Sequence, residues 1–147
     1  REQRLNQAID CRAKIVAFVR ELPGFTGATL GKSGELGVRD AGRIVGDYCL
    51  SVEDVRSGAT FADGVCRCAW PIEYWDETGV TLEYLDTPYE IPLRALKLRG
   101  HHNVWAAGKC LSAERLAQAS ARVVGTCWAM GEAAGCAAAR KETLVAQ

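Results

Sequence analysis

Two neighbouring stretches of this sequence have residue types and spacing that could do chemistry. One is RVVGTCWAMGEAAGCAAA, from Arg122 to Ala139, which reads as a helix opening at Gly125-Thr126-Cys127. The first turn of such a helix leaves several backbone N–H groups without an intrahelical acceptor. The summed peptide dipoles add roughly half a positive charge there. An anion or a partially negative carbonyl is favoured at that spot. The other stretch is VWAAG, Val104 to Gly108, which reads as a short buried strand ending in glycine. With no Cβ, Gly108 lets a ligand or another backbone approach closely, and open α/β sheets bind ligands at that edge.

Farther along the helix, Ala129, Ala133, Ala134, Ala137 and Ala138 join Gly131 and Gly135 in a surface of small side chains. Gly131-x-x-x-Gly135 would imply pairing in a membrane only within a long apolar segment, and Glu132 with Arg140-Lys141-Glu142 excludes that. Spacing alone favours a tightly packed core helix over a ligand site. Other candidates carry less. His101-His102 sits in a turn, where adjacent imidazoles cannot face one another. Cys66-x-Cys68 places two thiols on one side of a strand, but no second pair stands at ligand spacing, so no metal site is expected. Cys110, Cys127 and Cys136 read as small buried hydrophobes. Trp70, Trp75, Trp105, Tyr84 and Tyr89 read as core or edge aromatics. No residue offers itself as a catalytic base.

The elements that must position these residues follow from periodicity and turn chemistry. Residues 3 to 22 place Leu5, Ala8, Ile9, Ile15, Val16, Val19 and Leu22 at helical spacing, and Pro23-Gly24 ends the helix. A glycine-rich stretch follows, with a short strand expected around Ala28 to Leu30. Arg43 to Ser51 reads as a strand, and Ser51 with Asp54 three positions on reads as a capping box opening a helix to about Arg56. Gly64 to Trp75 alternates like a strand broken at Pro71, Gly79 to Leu85 is a second strand, and Tyr89 to Leu96 is extended across Pro92. Gly100 to Asn103 turns the chain into Val104 to Gly108. After a loop of about a dozen residues the closing helix runs from Gly125 to about Val145. Helix, mixed strands, then strand–loop–helix make an α+β chain.

Size and charge narrow the function classes. A chain of 147 residues with 48% hydrophobic content supports one globular core. Eighteen basic residues balance eighteen acidic ones, so no global field draws nucleic acid or an anionic membrane. No apolar run is long enough to cross a bilayer. Seven scattered cysteines suit reduced thiols in a cytoplasmic protein better than a disulfide framework. The sequence opens at Arg1, inside a helical pattern, which suggests a fragment of something longer.

Three blocks, in order, carry a resemblance: GVRDAGRIVGDYCLSVEDV, FADGVCRCAWPIE, and YEIPLRALKLRGHHNVWAAGKCLSAERLAQASARVVGTCWAMGEAAGCAAA. Over about residues 15 to 142 the chain resembles the C-terminal part of a family of bacterial FAD-dependent oxidoreductases. Their flavin fold is of the glutathione-reductase/succinate-dehydrogenase type. The resemblance implies that the strand ending at Gly108 and the helix after Arg122 line FAD, with the helix N-terminus facing the pyrimidine edge of the isoalloxazine. By position, Gly108, Lys109, Arg122, Val123, Gly125, Thr126 and Cys127 form the cofactor-facing set, mainly through backbone groups. Related sequences usually have arginine at the place of Lys109 and commonly proline at that of Gly125. The resemblance also brings Arg39 and Arg43, four apart, toward the substrate side, where they could clamp a carboxylate. A surface ion-pair pattern with Asp40 and Asp47 is the alternative.

A dinucleotide-binding protein of this kind needs a strand–GxGxxG–helix unit for the pyrophosphate, and no such spacing occurs here. Residues 1–94 are then expected to form a substrate-side segment, mixed or antiparallel in its strands, behind an N-terminal helix. Residues 95–147 would be the final strand–helix of the FAD domain. The expected partners are the missing N-terminal FAD-binding part and an unidentified small-molecule substrate. Alone, the fragment is expected to bind FAD weakly or not at all, to lack turnover, and to expose or self-associate through the face of Ala129, Ala133 and Ala137. A non-enzymatic module binding a partner through that face is the competing reading.

Overall fold

In the computed structural model, residues 2–32, 34, 37, 42–76 and 79–140 are described. The chain forms two compact units, Arg1–Arg39 and Asp40–Gln147. The first is built on helix α1, Glu2–Glu21, whose twenty residues contain no glycine or proline. Pro23 cannot donate to a continuing helix, and Gly24 takes the left-handed conformation at φ 86°. The strand expected around Ala28 to Leu30 does not form. The Phe25 amide bonds Leu22 O at 3.1 Å, the Ala28 amide bonds Phe25 O at 2.9 Å, and the Arg20 guanidinium takes Ala28 O at 2.7 Å. Successive turns and a side-chain donor thus use backbone groups that a strand would need for a partner.

The second unit holds the core, with Leu50, Ile72, Tyr89, Ile91, Leu96 and Met130 fully buried. Helix α2, Val52–Ser57, begins with the expected box: the Ser51 hydroxyl accepts from the Asp54 amide, and Asp54 accepts from the Ser51 amide. Two two-stranded antiparallel sheets follow. Strand β1, Gly64–Cys68, pairs with β4, Tyr89–Pro92, through a register break between Gly64 and Cys66. Strand β2, Ile72–Asp76, and β3, Gly79–Glu83, form a hairpin with Tyr74 opposite Thr81. Extended structure stops at Pro92 instead of reaching Leu96, because Leu93–Ala95 winds into a 3₁₀ turn whose Arg94 amide bonds Asp63.

Two expected strands are absent. Arg43 to Ser51 threads between two segments and contributes only single bridges, Gly46 to Leu98 and Leu50 to Ala113. Its amides bond outward on both sides: Ile44 to Cys110 O, Asp47 to Lys97 O, Leu50 to Ser112 O. Those partners lie in turns and loops, so no continuous ladder can form. Val104 to Gly108 likewise makes one bridge, Lys97 to Trp105, and is exposed or half-buried along its length, so it is neither a strand nor buried.

The expected loop after Gly108 contains a helix, α3, Arg115–Ala121. Only Arg122 and Val123 separate it from α4, Val124–Ala139. The continuation expected to about Val145 lies outside the described residues beyond Arg140. On α4 the buried stripe is Thr126, Met130, Ala134 and Ala137. On the Ala129–Ala133–Ala137 face, Ala137 is buried and Ala129 and Ala133 are half-buried. Helix α4 packs on β1 and α3 on β2, which covers the inner faces of both small sheets. Among the described residues, no helix is long and apolar enough to cross a membrane.

Candidate functional site

The site is built where α4 begins. The residue preceding the helix, Val123, is extended (φ −72°, ψ 154°) and provides no side-chain cap. The first intrahelical bond is from the Cys127 amide to Val123 O at 2.9 Å. The amides of Val124, Gly125 and Thr126 therefore lack helical acceptors and point out of the tip. The tip is open: Val124 is 68% exposed, Gly125 is exposed, and Trp128 one turn on is 77% exposed.

Against this tip lies a 3₁₀ turn, Gly108–Cys110. Gly108 has φ 80°, a conformation that side chains resist, and a Cβ there would lie 3.7 Å from Cys127 Sγ. Sequence-separated Gly108 and Cys127 are thus brought into contact. Gln118, almost fully buried on α3, fixes the turn by donating its amide to Lys109 O. Within the turn, Leu111 N bonds Gly108 O and the Cys110 thiol donates to Ala107 O, both at 3.1 Å. Reading the sequence missed Gln118. Its signal was a lone amide inside the small apolar run Leu116 to Ala121.

From beneath, a buried chain of polar groups anchors the α3–α4 junction. Tyr89 donates to Ser120 Oγ at 2.9 Å, and Ser120 Oγ donates to Trp70 O at 2.5 Å. Thr126 Oγ1 donates to Cys68 Sγ at 3.4 Å, and Cys68 Sγ reaches Ser120 O at 3.9 Å. Thr126 thus turns its side chain into the core and leaves its backbone N–H at the tip. Burial pushes the Tyr89 hydroxyl far above its ordinary range. Burial likewise raises the Cys66 thiol to about 11 and the Cys127 thiol in the same direction, with neighbouring thiols adding to both. These thiols are therefore held protonated, as weak nucleophiles.

The remaining sequence-predicted residues are placed as follows. Lys109 is the exposed middle residue of the turn, and Arg122 is half-buried between α3 and α4. Arg43 is exposed, and the next residue, Ile44, donates to Cys110 O at 2.9 Å, so the Arg43 segment borders the same turn. Arg39 lies outside the described residues. His101 is exposed, with Nδ1 3.1 Å from Arg99 O. Among the described residues, no group of three or more His, Cys, Asp and Glu could hold a metal ion.

Three outward donors and a bare backbone at Gly108 suit an electron-rich, carbonyl-bearing edge. The family model for FAD dependent oxidoreductase matches residues 1–143. Neither the search of curated proteins nor that of solved structures returned a match. The chain belongs to the FAD-dependent oxidoreductase family.

Proposed function

We propose that this member of the FAD-dependent oxidoreductase family supplies the ring-side wall of its flavin site. The uncapped, exposed start of α4 beside the bare Gly108 backbone is the observation that carries the reading. Bound FAD would supply the electron and hydride transfer. The chain's own part is to bind and polarise. The amides of Val124, Gly125 and Thr126 would hold the carbonyl-rich edge, and fixed donors of this kind stabilise negative charge without reorganising. Val123 and Arg122 set the approach of the helix, Cys127 closes the floor under Gly108, and Lys109 adds a positive charge as a point rather than a fork. Arg43 would receive an acidic group of a small-molecule substrate, while Arg39, its companion in sequence, lies outside the described residues.

The 147 residues contain no pair of glycines two apart, hence no G-x-G-x-x-G. The pyrophosphate cradle therefore belongs to other residues of the flavoenzyme. In this reading the chain is its C-terminal part, with residues 1–94 on the substrate side and 95–147 completing the FAD domain. On its own it binds FAD weakly and does not turn over. Seven free cysteines fit a reducing, cytoplasmic setting in a bacterial host.

Amide-resolved NMR titration with lumiflavin and with FAD tests this. The expected result is shifts at Gly108 and Val124 to Cys127, with the two ligands binding about equally because the adenylate half finds no cradle. Shifts that map elsewhere overturn the ring-side assignment. A gain of about tenfold or more from the adenylate half, worth about 1.4 kcal/mol, overturns the division of labour.

A further inference from the structure

The hairpin of β2 and β3 has an inner face on α3, where Ile72 is fully buried, and an outer face whose large apolar side chains are exposed. Trp75 stands opposite Val80 and Glu73 opposite Leu82, so these four share the outer face. Trp75 is 56% exposed, Val80 47%, Leu82 41%, and Tyr84 just beyond the strand 76%. A two-stranded sheet of this length is marginal by itself. Among the described residues β3 pairs with β2 alone, so its other edge offers unpaired N–H and C=O groups.

Natural edges are usually protected by charge, proline or a bulge. The edge at β2 follows Pro71 and carries Glu73 and Asp76. The edge at β3, Gly79-Val80-Thr81-Leu82-Glu83, has one charged residue. That residue, Glu83, is already held by the Arg56 guanidinium at 2.6 and 3.0 Å, on the inner side. The β3 edge therefore presents apolar side chains and unpaired backbone with no charge to repel a second strand.

We propose that β3 is the contact edge of a symmetric dimer, pairing antiparallel with β3 of a second copy to make one four-stranded sheet. The sequence of β3 is complementary to its own reverse. Two-fold pairing about Thr81 sets Val80 opposite Leu82 of the second copy and Gly79 opposite its Glu83. Like charges never face each other, and both apolar pairs fall on the outer face. The contact is independent of the flavin reading, since the hairpin contributes no residue to the site proposed above.

Light scattering of the full chain over a rising concentration series, with hydrogen exchange at each concentration, tests the proposal. The expected result is a mass approaching twice the monomer's, with exchange in residues 79–83 slowing in step. Val80→Lys with Leu82→Lys abolishes both effects and leaves the circular dichroism unchanged, because both side chains are exposed. A mass and a β3 exchange rate that ignore concentration overturn the proposal. A dimer that survives both lysines, or whose protection maps to another segment, overturns it equally.

Discussion

Single residues in this molecule act mainly through backbone conformation and thiol burial. Gly108 has room for a methyl group, since a Cβ would be in ordinary contact with Cys127, so its requirement is the positive φ alone. Gly108→Ala should therefore lower stability by about 1–2 kcal/mol, and Gly108→Asn by less, as asparagine tolerates that region. Urea unfolding of the two variants checks the order. If alanine and asparagine cost the same, space rather than φ governs the position. The Cys66 thiol, pushed to about 11 from an ordinary 9.0 chiefly by burial, makes stability depend on alkaline pH. Below about pH 9 it is protonated in both states and its contribution is intact. Between about pH 9 and 11 the unfolded chain releases the proton while the native chain keeps it, so stability falls as pH rises. Cys127 and Tyr89 shift in the same direction and steepen the fall. Cys66→Ala should flatten part of the slope in unfolding midpoints taken from pH 8 to 11. An unchanged slope removes Cys66 as a contributor. At this scale the sequence placed the helix start at Gly125, one residue from the observed Val124, while the approach of Gly108 to Cys127 spans 19 positions and is carried by no local pattern.

Elements are legible where their signals are local. Ser51 and Asp54 announce α2 because a capping box is a four-residue pattern. Pro23-Gly24 stops α1 for the same reason. Helix α3 hid because its start has no local cap: the Glu114 carboxylate, at the capping position, accepts instead from the Val52 amide of α2 at 2.8 Å. The stretches Arg43–Ser51 and Val104–Gly108, with their β-branched and aromatic residues, looked like strands because propensity reports a pleated, half-buried surface and not the presence of a partner. Their hydrogen bonds go to turns that sequence patterns do not place. What joins the elements is the buried polar chain from Tyr89 on β4 through Ser120 on α3 to Trp70 O. Ser120→Ala takes from the buried Tyr89 hydroxyl its Ser120 acceptor, at about 1–3 kcal/mol, and from the part-buried Trp70 carbonyl its Ser120 donor, at less. Tyr89→Phe in the same chain removes one orphan, so the double variant should regain part of the loss. Thermal unfolding of the three variants measures this, and a double variant no more stable than Ser120→Ala would mean that the Tyr89 hydroxyl finds another acceptor.

For the whole molecule, the α+β class was visible because the strand and helix periods change along the chain, but the distribution of the core was not. Sequence patterning gives α1 an apolar stripe as regular as any in the chain, and regularity does not say which stripe joins the core. Every buried member of the core cluster lies between Leu50 and Ala134. Two sheets of two strands each are too small to persist alone. They persist because α4 covers β1 and α3 covers β2, and the small side chains of both helices permit close approach. Stability should then reside in the second compact unit. A chain beginning at Asp40 is expected to keep one cooperative transition, within about 4–8 °C of the full chain, the shift that about 1 kcal/mol gives a domain of this size. Near-UV circular dichroism should be retained, because all four tryptophans lie within that unit. Calorimetry of the shortened chain decides the matter. A broad, non-cooperative melt would mean that the second unit does not carry the stability by itself and cannot alone hold the site at the start of α4.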